Sequence, residues 1–132
     1  MKLGVKRAPV SSSAQQQYAA DAALAGTRQD LLAKAGEAEA AFRAARARRA
    51  PLAEEHALAV ALDDALTAAM QAAFAAQRAE IGPRGYDDRI YRRKGKAKPA
   101  VHALTGEAEH LLTLRETHRL NNIPAEPFEP AV

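Results

Sequence analysis

Cysteine and tryptophan are absent from the 132 residues, and bulky apolar side chains are few. Without cysteine the chain has neither disulfides nor thiolate metal ligands, and its redox compartment cannot be read from cysteine usage. Leu, Ile, Val and Phe together number 24, fewer than a fifth of the chain. At that level an independent hydrophobic core is hard to assemble, although a net charge of +3 is too small to predict general disorder. The uncharged stretch 9–20 is rich in Ser and Gln, and no transmembrane helix or other membrane partner is expected. The start, MKLGVKRAPVSSS, is basic but lacks an apolar run of signal-peptide length. Secretion by a signal peptide is not expected, and a cytoplasmic or virion setting is.

What the chain has in quantity is alanine, 34 residues, about a quarter of the total. Alanine is the best helix former because it loses no side-chain entropy, yet burying its methyl group gains little. The expectation is one strongly helical, weakly cored domain. Its fold class is all-α: a long antiparallel helical hairpin plus a shorter third helix, with an extended N-terminal arm and a Pro-rich C-terminal tail.

Five regions follow from charge and pattern. Residues 1–13 form a basic arm whose consecutive serines can cap a helix. Residues 14–81 are the hairpin. Its first arm runs to about Arg49, weakened only by Gly26 and Gly36. Pro51 disfavours helix at Ala50 and suits the first position of a new one, so the chain reverses there. Arg43, Arg46, Arg48 and Arg49 before the break, and Glu54 and Glu55 after it, match the ends of two helix dipoles. In the second arm Ala59, Leu62, Leu66, Ala69, Ala73 and Ala76 follow a three-four spacing. Folding back at Pro51 brings Leu31 near Met70, Leu24 near Phe74 or Gln77, and Phe42 near Leu58 or Ala59. Residues 82–99, with their glycines and prolines, read as a basic irregular linker. The third helix falls within 100–122, capped by Thr105 with Glu107 and Glu109 in its first turn. Residues 123–132 have prolines at 124, 127 and 130, a spacing that favours an extended strand with Phe128 free to dock.

Little of this carries catalytic chemistry. Ile81 to Gly85 is an Ile-Gly-x-x-Gly segment, the pattern with which KH folds clamp a nucleic-acid backbone. Pro83 sits inside it, Ile90 comes too late, and no β-branched runs exist for the sheet, so it reads as a chance match. Serines 11 to 13 lack a nucleophile elbow, and no phosphate-cradling glycine-lysine motif occurs. Glu107 and His110 have the spacing of a di-metal bundle motif, but such sites need two copies. His118 lies two turns beyond, His56 reads as exposed or capping, and His102 has no visible partner. Catalytic residues, metal ligands and cofactors are therefore all expected to be none.

Two functional expectations remain. The first is a non-catalytic structural subunit of a large multi-copy assembly, in which other protein subunits, as a homo- or hetero-oligomer, complete a meagre core. Size and the Ala/Arg usage fit a tailed-phage virion component of head, connector or internal core. Here Leu24, Leu31, Phe42, Leu62, Leu66 and Phe74 carry contacts within the hairpin or between subunits, and Phe128 anchors the tail. The second is a small nucleic-acid-binding or packaging accessory. Its footprint is Arg89, Arg92, Arg93, Lys94, Lys96 and Lys98 on phosphates, with Tyr91 stacking on bases, in a contact that ignores sequence.

Overall fold

Alanine runs continue over most of the chain, and a helix follows wherever a cap lets one begin. The computed structural model describes residues 8–124, and every regular element within them is helical. In order these are α1 (Ser12–Ala25), α2 (Arg28–Ala47), α3 (Leu52–Ile81), a 3-10 turn (Pro83–Tyr86), α4 (Arg89–Gly95) and α5 (Pro99–Asn122). Phe128 and the basic residues Lys2, Lys6 and Arg7 lie outside the described residues.

Ser11 caps α1, its hydroxyl accepting from the Ala14 amide at 3.0 Å. The first arm, expected as one helix, is two. At Gly26 and Thr27 the turn tightens: the Thr27 amide and hydroxyl both donate to the Leu24 carbonyl. Gly26 keeps right-handed geometry there, φ −63° and ψ −20°.

The end of α2 is a Schellman motif. The Ala50 amide reaches back to the Ala45 carbonyl and the Arg49 amide to Arg46, while the apolar pair Ala45 and Ala50 is buried. Such a motif needs one left-handed residue, usually glycine, and here Arg49 takes it with φ of 51°. Pro51 then stands before α3 in extended geometry, φ −53° and ψ 144°, rather than as its first helical residue. Arg48 bridges to Glu54 across the turn.

Helix α3 is the spine. The stripe Ala59, Leu62, Leu66, Ala69, Ala73 and Ala76 is buried along it. Ala72, Ala75, Gln77 and Ile81 are buried as well, so its C-terminal half is covered on two sides. Asp21 pairs with Arg78 and Arg46 with Glu55, so α1 and α2 run against α3 in the opposite direction. Gln77 bonds to Thr105 and Arg119 to Asp63, so α5 does the same on another side. Residues 65–77 of α3 form an uncharged stretch as long as 8–20. By length and mean hydropathy, 1.3 over its most apolar window, α3 matches a membrane-crossing helix. That apolar content is largely alanine, 39% of the window is buried under neighbouring helices, and Asp63 holds an ion pair near its middle.

Two sequence expectations need correction. Residues 82–99 are not an irregular linker. The Asp88 carboxylate caps α4 by accepting from the Ile90 and Tyr91 amides, both at 3.0 Å, and Pro99 opens α5 instead of ending a loop. Nor does the last helix start at Thr105. It starts six residues earlier, because the first turn buries Val101 completely, and Thr105 sits inside it, donating to the Val101 carbonyl at 2.9 Å.

A left-handed conformation costs a non-glycine residue about 1 kcal/mol or more. Arg49→Gly should therefore raise the stability of the chain by about 0.5–1 kcal/mol, read as a higher thermal midpoint with unchanged helicity; an unchanged or lower midpoint would contradict the assignment of the turn.

Candidate interaction surfaces

The basic segment is held in place by one side chain. Gly85 and Gly95 both press against Ile81, so closely that a methyl group on either would stand 2.7 or 2.9 Å from Ile81 Cγ2. The glycines that looked like helix breakers are thus the sites of close approach. Because Gly85 is buried in this contact, the Ile81–Gly85 segment offers no open glycine pair to a phosphate.

Polar bonds complete the clamp. Asp87 accepts from the Ser11 amide at 2.7 Å and its hydroxyl at 2.8 Å, tying the start of α1 to the segment. Asp21 accepts two bonds from Arg78, at 2.7 and 3.0 Å, and a third from the Tyr86 hydroxyl at 2.5 Å. The bidentate guanidinium of Arg78 holds the Asp21 carboxyl below its ordinary range, against the opposing effect of burial. Burial, and then the neighbouring Asp21, push the Tyr86 hydroxyl well above the usual tyrosine range.

On this fixed base the cations point outward. Arg89, Arg93, Lys94, Lys96 and Lys98 are exposed, and among the described residues none of them meets a carboxylate. Arginines on α3 and on the helices around it behave differently: Arg28, Arg46, Arg78 and Arg119 are each in an ion pair. Arg92 and Tyr91 do not share the open face. Both are half-buried, and Arg92 donates to the Gly85 carbonyl at 3.0 Å. Arg89, Arg93 and Lys96 follow helical spacing, so they project from one side of α4.

A second surface is a groove. Helices α2 and α5 both lie on α3 and meet each other through side chains, Arg28 with Glu107 at one end and Phe42 with His118 at the other. Between them opens a cavity of about 400 Å³, with Leu62 and Leu66 of α3, Phe42 of α2 and Leu114 of α5 among its walls. His118 borders it, buried and edge-on to Phe42, with ring centroids 5.3 Å apart. Its Nε2 lies 2.8 Å from the Ala59 carbonyl, which can only accept, so Nε2 carries the proton. Nδ1 then accepts from the Asn122 amide at 2.9 Å, and Asn122 Oδ1 accepts from Arg46 at 2.9 Å. Both ring nitrogens are engaged, which leaves His118 no free nitrogen for acid–base work.

The apolar residues expected at an interface divide. Phe42, Leu62 and Leu66 are buried inside the chain, Leu31 and Phe74 are half-buried against the same cluster, and Leu24 remains 37% exposed. Glu107, suggested as a metal ligand, spends its carboxylate on Arg28 at 2.6 Å, while His110 is exposed. The His118–Asn122 pair was visible in principle as a spacing of four on a helix. The Asp21–Arg78–Tyr86 cluster joins residues far apart in the chain, and no local pattern announces it.

Comparison with family models, curated proteins and solved structures finds no match.

Asp21 titrates lower in the folded chain than in the unfolded one, so its contribution is present above the ordinary aspartate pKa of about 3.9 and disappears as pH falls through the lowered value. Asp21→Asn should cost about 1 kcal/mol at neutral pH, a figure reduced because Arg78 is 43% exposed. The gap between wild type and variant, measured by denaturant titration, should close on acidification below pH ~4; a gap independent of pH would remove this role from Asp21.

Proposed function

We propose that the chain is a non-catalytic structural subunit of a multi-copy protein assembly, its long hairpin and third helix forming the rigid body. The observation that carries this reading is apolar surface left open at one end of the bundle. Leu52 is 83% exposed and Leu120 85%. They belong to the same end, since Glu55 near the start of α3 and Asn122 at the close of α5 both contact Arg46. A chain so poor in bulky apolar residues leaves two leucines in water at one end of the bundle, and a partner that covers this end would bury both. A tailed-phage particle is the setting we propose for the assembly, on size and Ala/Arg composition. In this reading the purified chain gains mass with concentration in the micromolar range. Leu52→Glu combined with Leu120→Glu should return it to a monomer with its helicity intact, and a wild-type chain monomeric throughout that range would refute the proposal.

A second reading, nucleic-acid backbone binding, is favoured by the cations of α4 and of the turn after it, which meet no carboxylate among the described residues. Phosphates would supply the anions that the described chain withholds from Arg89, Arg93, Lys94, Lys96 and Lys98. Binding to duplex DNA should weaken steeply as salt rises. Alanine at Arg89, Arg93 and Lys96 should flatten the log–log slope by roughly 0.9 for each phosphate that is no longer neutralised. Equal slopes for wild type and variant, or no binding at low salt, would dismiss it.

A further inference from the structure

Arg92 leaves the open face of α4 and lines a second cavity, of about 380 Å³, with Gln17 and Asp21 of α1, Arg78 of α3 and Tyr86 of the 3-10 turn. We propose that this cavity binds a phosphate group, with Arg92 as its principal ligand and Arg78 and Gln17 as flanking donors.

The first support is charge. Two guanidinium groups and a single carboxylate line the cavity, and that carboxylate is already engaged. Asp21 accepts both bonds of Arg78 and another from the Tyr86 hydroxyl, so the charge of Arg78 is matched. That of Arg92 is not: it is half-buried and meets no carboxylate among the described residues. A cation drawn out of water in this way is ordinarily paired, and an anion entering the cavity would pair it.

The second support is the supply of donors. A guanidinium holds several N–H groups in a fixed fork. Arg92 gives Nη1 to the Gly85 carbonyl at 3.0 Å, which leaves Nε and Nη2 uncommitted among the described residues. Arg78 engages Asp21 through Nε and Nη2, so its Nη1 remains. The Gln17 amide donates to the Ser13 hydroxyl at 3.1 Å and keeps its second hydrogen. These donors come from three helices, an arrangement that suits the tetrahedral oxygens of phosphate better than the planar pair of a carboxylate.

The third support is placement. Gly85, the anchor of Arg92, is pressed so closely on Ile81 that a methyl group there would stand 2.7 Å from Cγ2. The guanidinium is thus positioned before a ligand arrives, and a donor fixed beforehand loses less freedom on binding. Gln17 is exposed at the mouth, so a ligand can enter from solvent. The volume is more than a bare phosphate fills, so an ester fits as well as the free ion. Because the cavity lies off the open face of α4, this inference stands or falls apart from both readings above.

The test uses the full-length chain and inorganic phosphate, added in place of chloride at constant ionic strength and followed by titration calorimetry and by the thermal midpoint. Wild type should bind saturably at a single site, and its midpoint should rise. Arg92→Gln should weaken binding by about tenfold or more. Gln17→Glu, a change on the exposed face of α1 that leaves the Gly85 contact intact, puts a carboxylate into the cavity and should weaken binding likewise. Arg93→Gln, on the open face, should bind as wild type does. Displacement of inorganic phosphate by a sugar phosphate, by a short DNA duplex or by neither would assign the site to a monoester, a nucleic-acid backbone or the free ion. A response no different from that to chloride, undiminished binding in Arg92→Gln or in Gln17→Glu, or an equal loss in Arg93→Gln would each overturn the proposal.

Discussion

Everything in this chain depends on how closely helices can approach α3. Ala59, Ala69, Ala73 and Ala76 on its buried stripe, and Ala72 and Ala75 beside them, are small enough for α1, α2 and α5 to lie against it. Alanine permits that approach but provides little buried area for it. Apolar contact therefore leaves the helices weakly held against sliding, and polar bonds set the register. Arg78 on Asp21, Arg119 on Asp63 and His118 on the Ala59 carbonyl are rungs placed along the same spine. Where bulky side chains are scarce, directional bonds take over the job that shape complementarity does in a leucine-rich core.

The far end of α3 shows the same economy. Ile81 is the last residue of the spine, and the 3-10 turn and α4 both close on it through glycines. One isoleucine thereby fixes a seven-residue helix that is too short to be stable alone. Ser11 on Asp87 then draws the beginning of α1 into the cluster.

How far the sequence announces this depends on the range over which each signal acts. Helical class and the α3 stripe come from composition and three-four spacing, which are local, and both are legible. So is a serine cap before α1. The break at Gly26 and Thr27 is not, because one tightened turn differs little in sequence from an ordinary helical one. The segment 82–99 misleads for a clearer reason. Glycine and proline carry opposite meanings by context: Pro99 stops nothing when it falls in a first turn, and Gly95 marks close packing rather than a bend. Only the position of Ile81 distinguishes these cases, and that is tertiary information. The polar clusters were hidden likewise, since Asp21 meets Arg78 and Tyr86 across more than fifty residues.

The distribution of ion pairs makes a physical argument about the surface. Along the spine the chain supplies a carboxylate or amide to the cations that face it, as for Arg28, Arg46, Arg78 and Arg119. On α4 it does the reverse. Arg89 and Arg93 are like charges at a spacing of four, an arrangement that opposes the helix by a few tenths of a kcal/mol. Asp87 and Asp88, the nearest acids in sequence, are spent on Ser11 and on the amides that cap the helix. The fold thus uses the Ile81 clamp and the Asp88 cap to hold a helix that its own charges work against. Cations fixed beforehand in this way would lose less freedom if an anion bound them than cations on a solvated linker would.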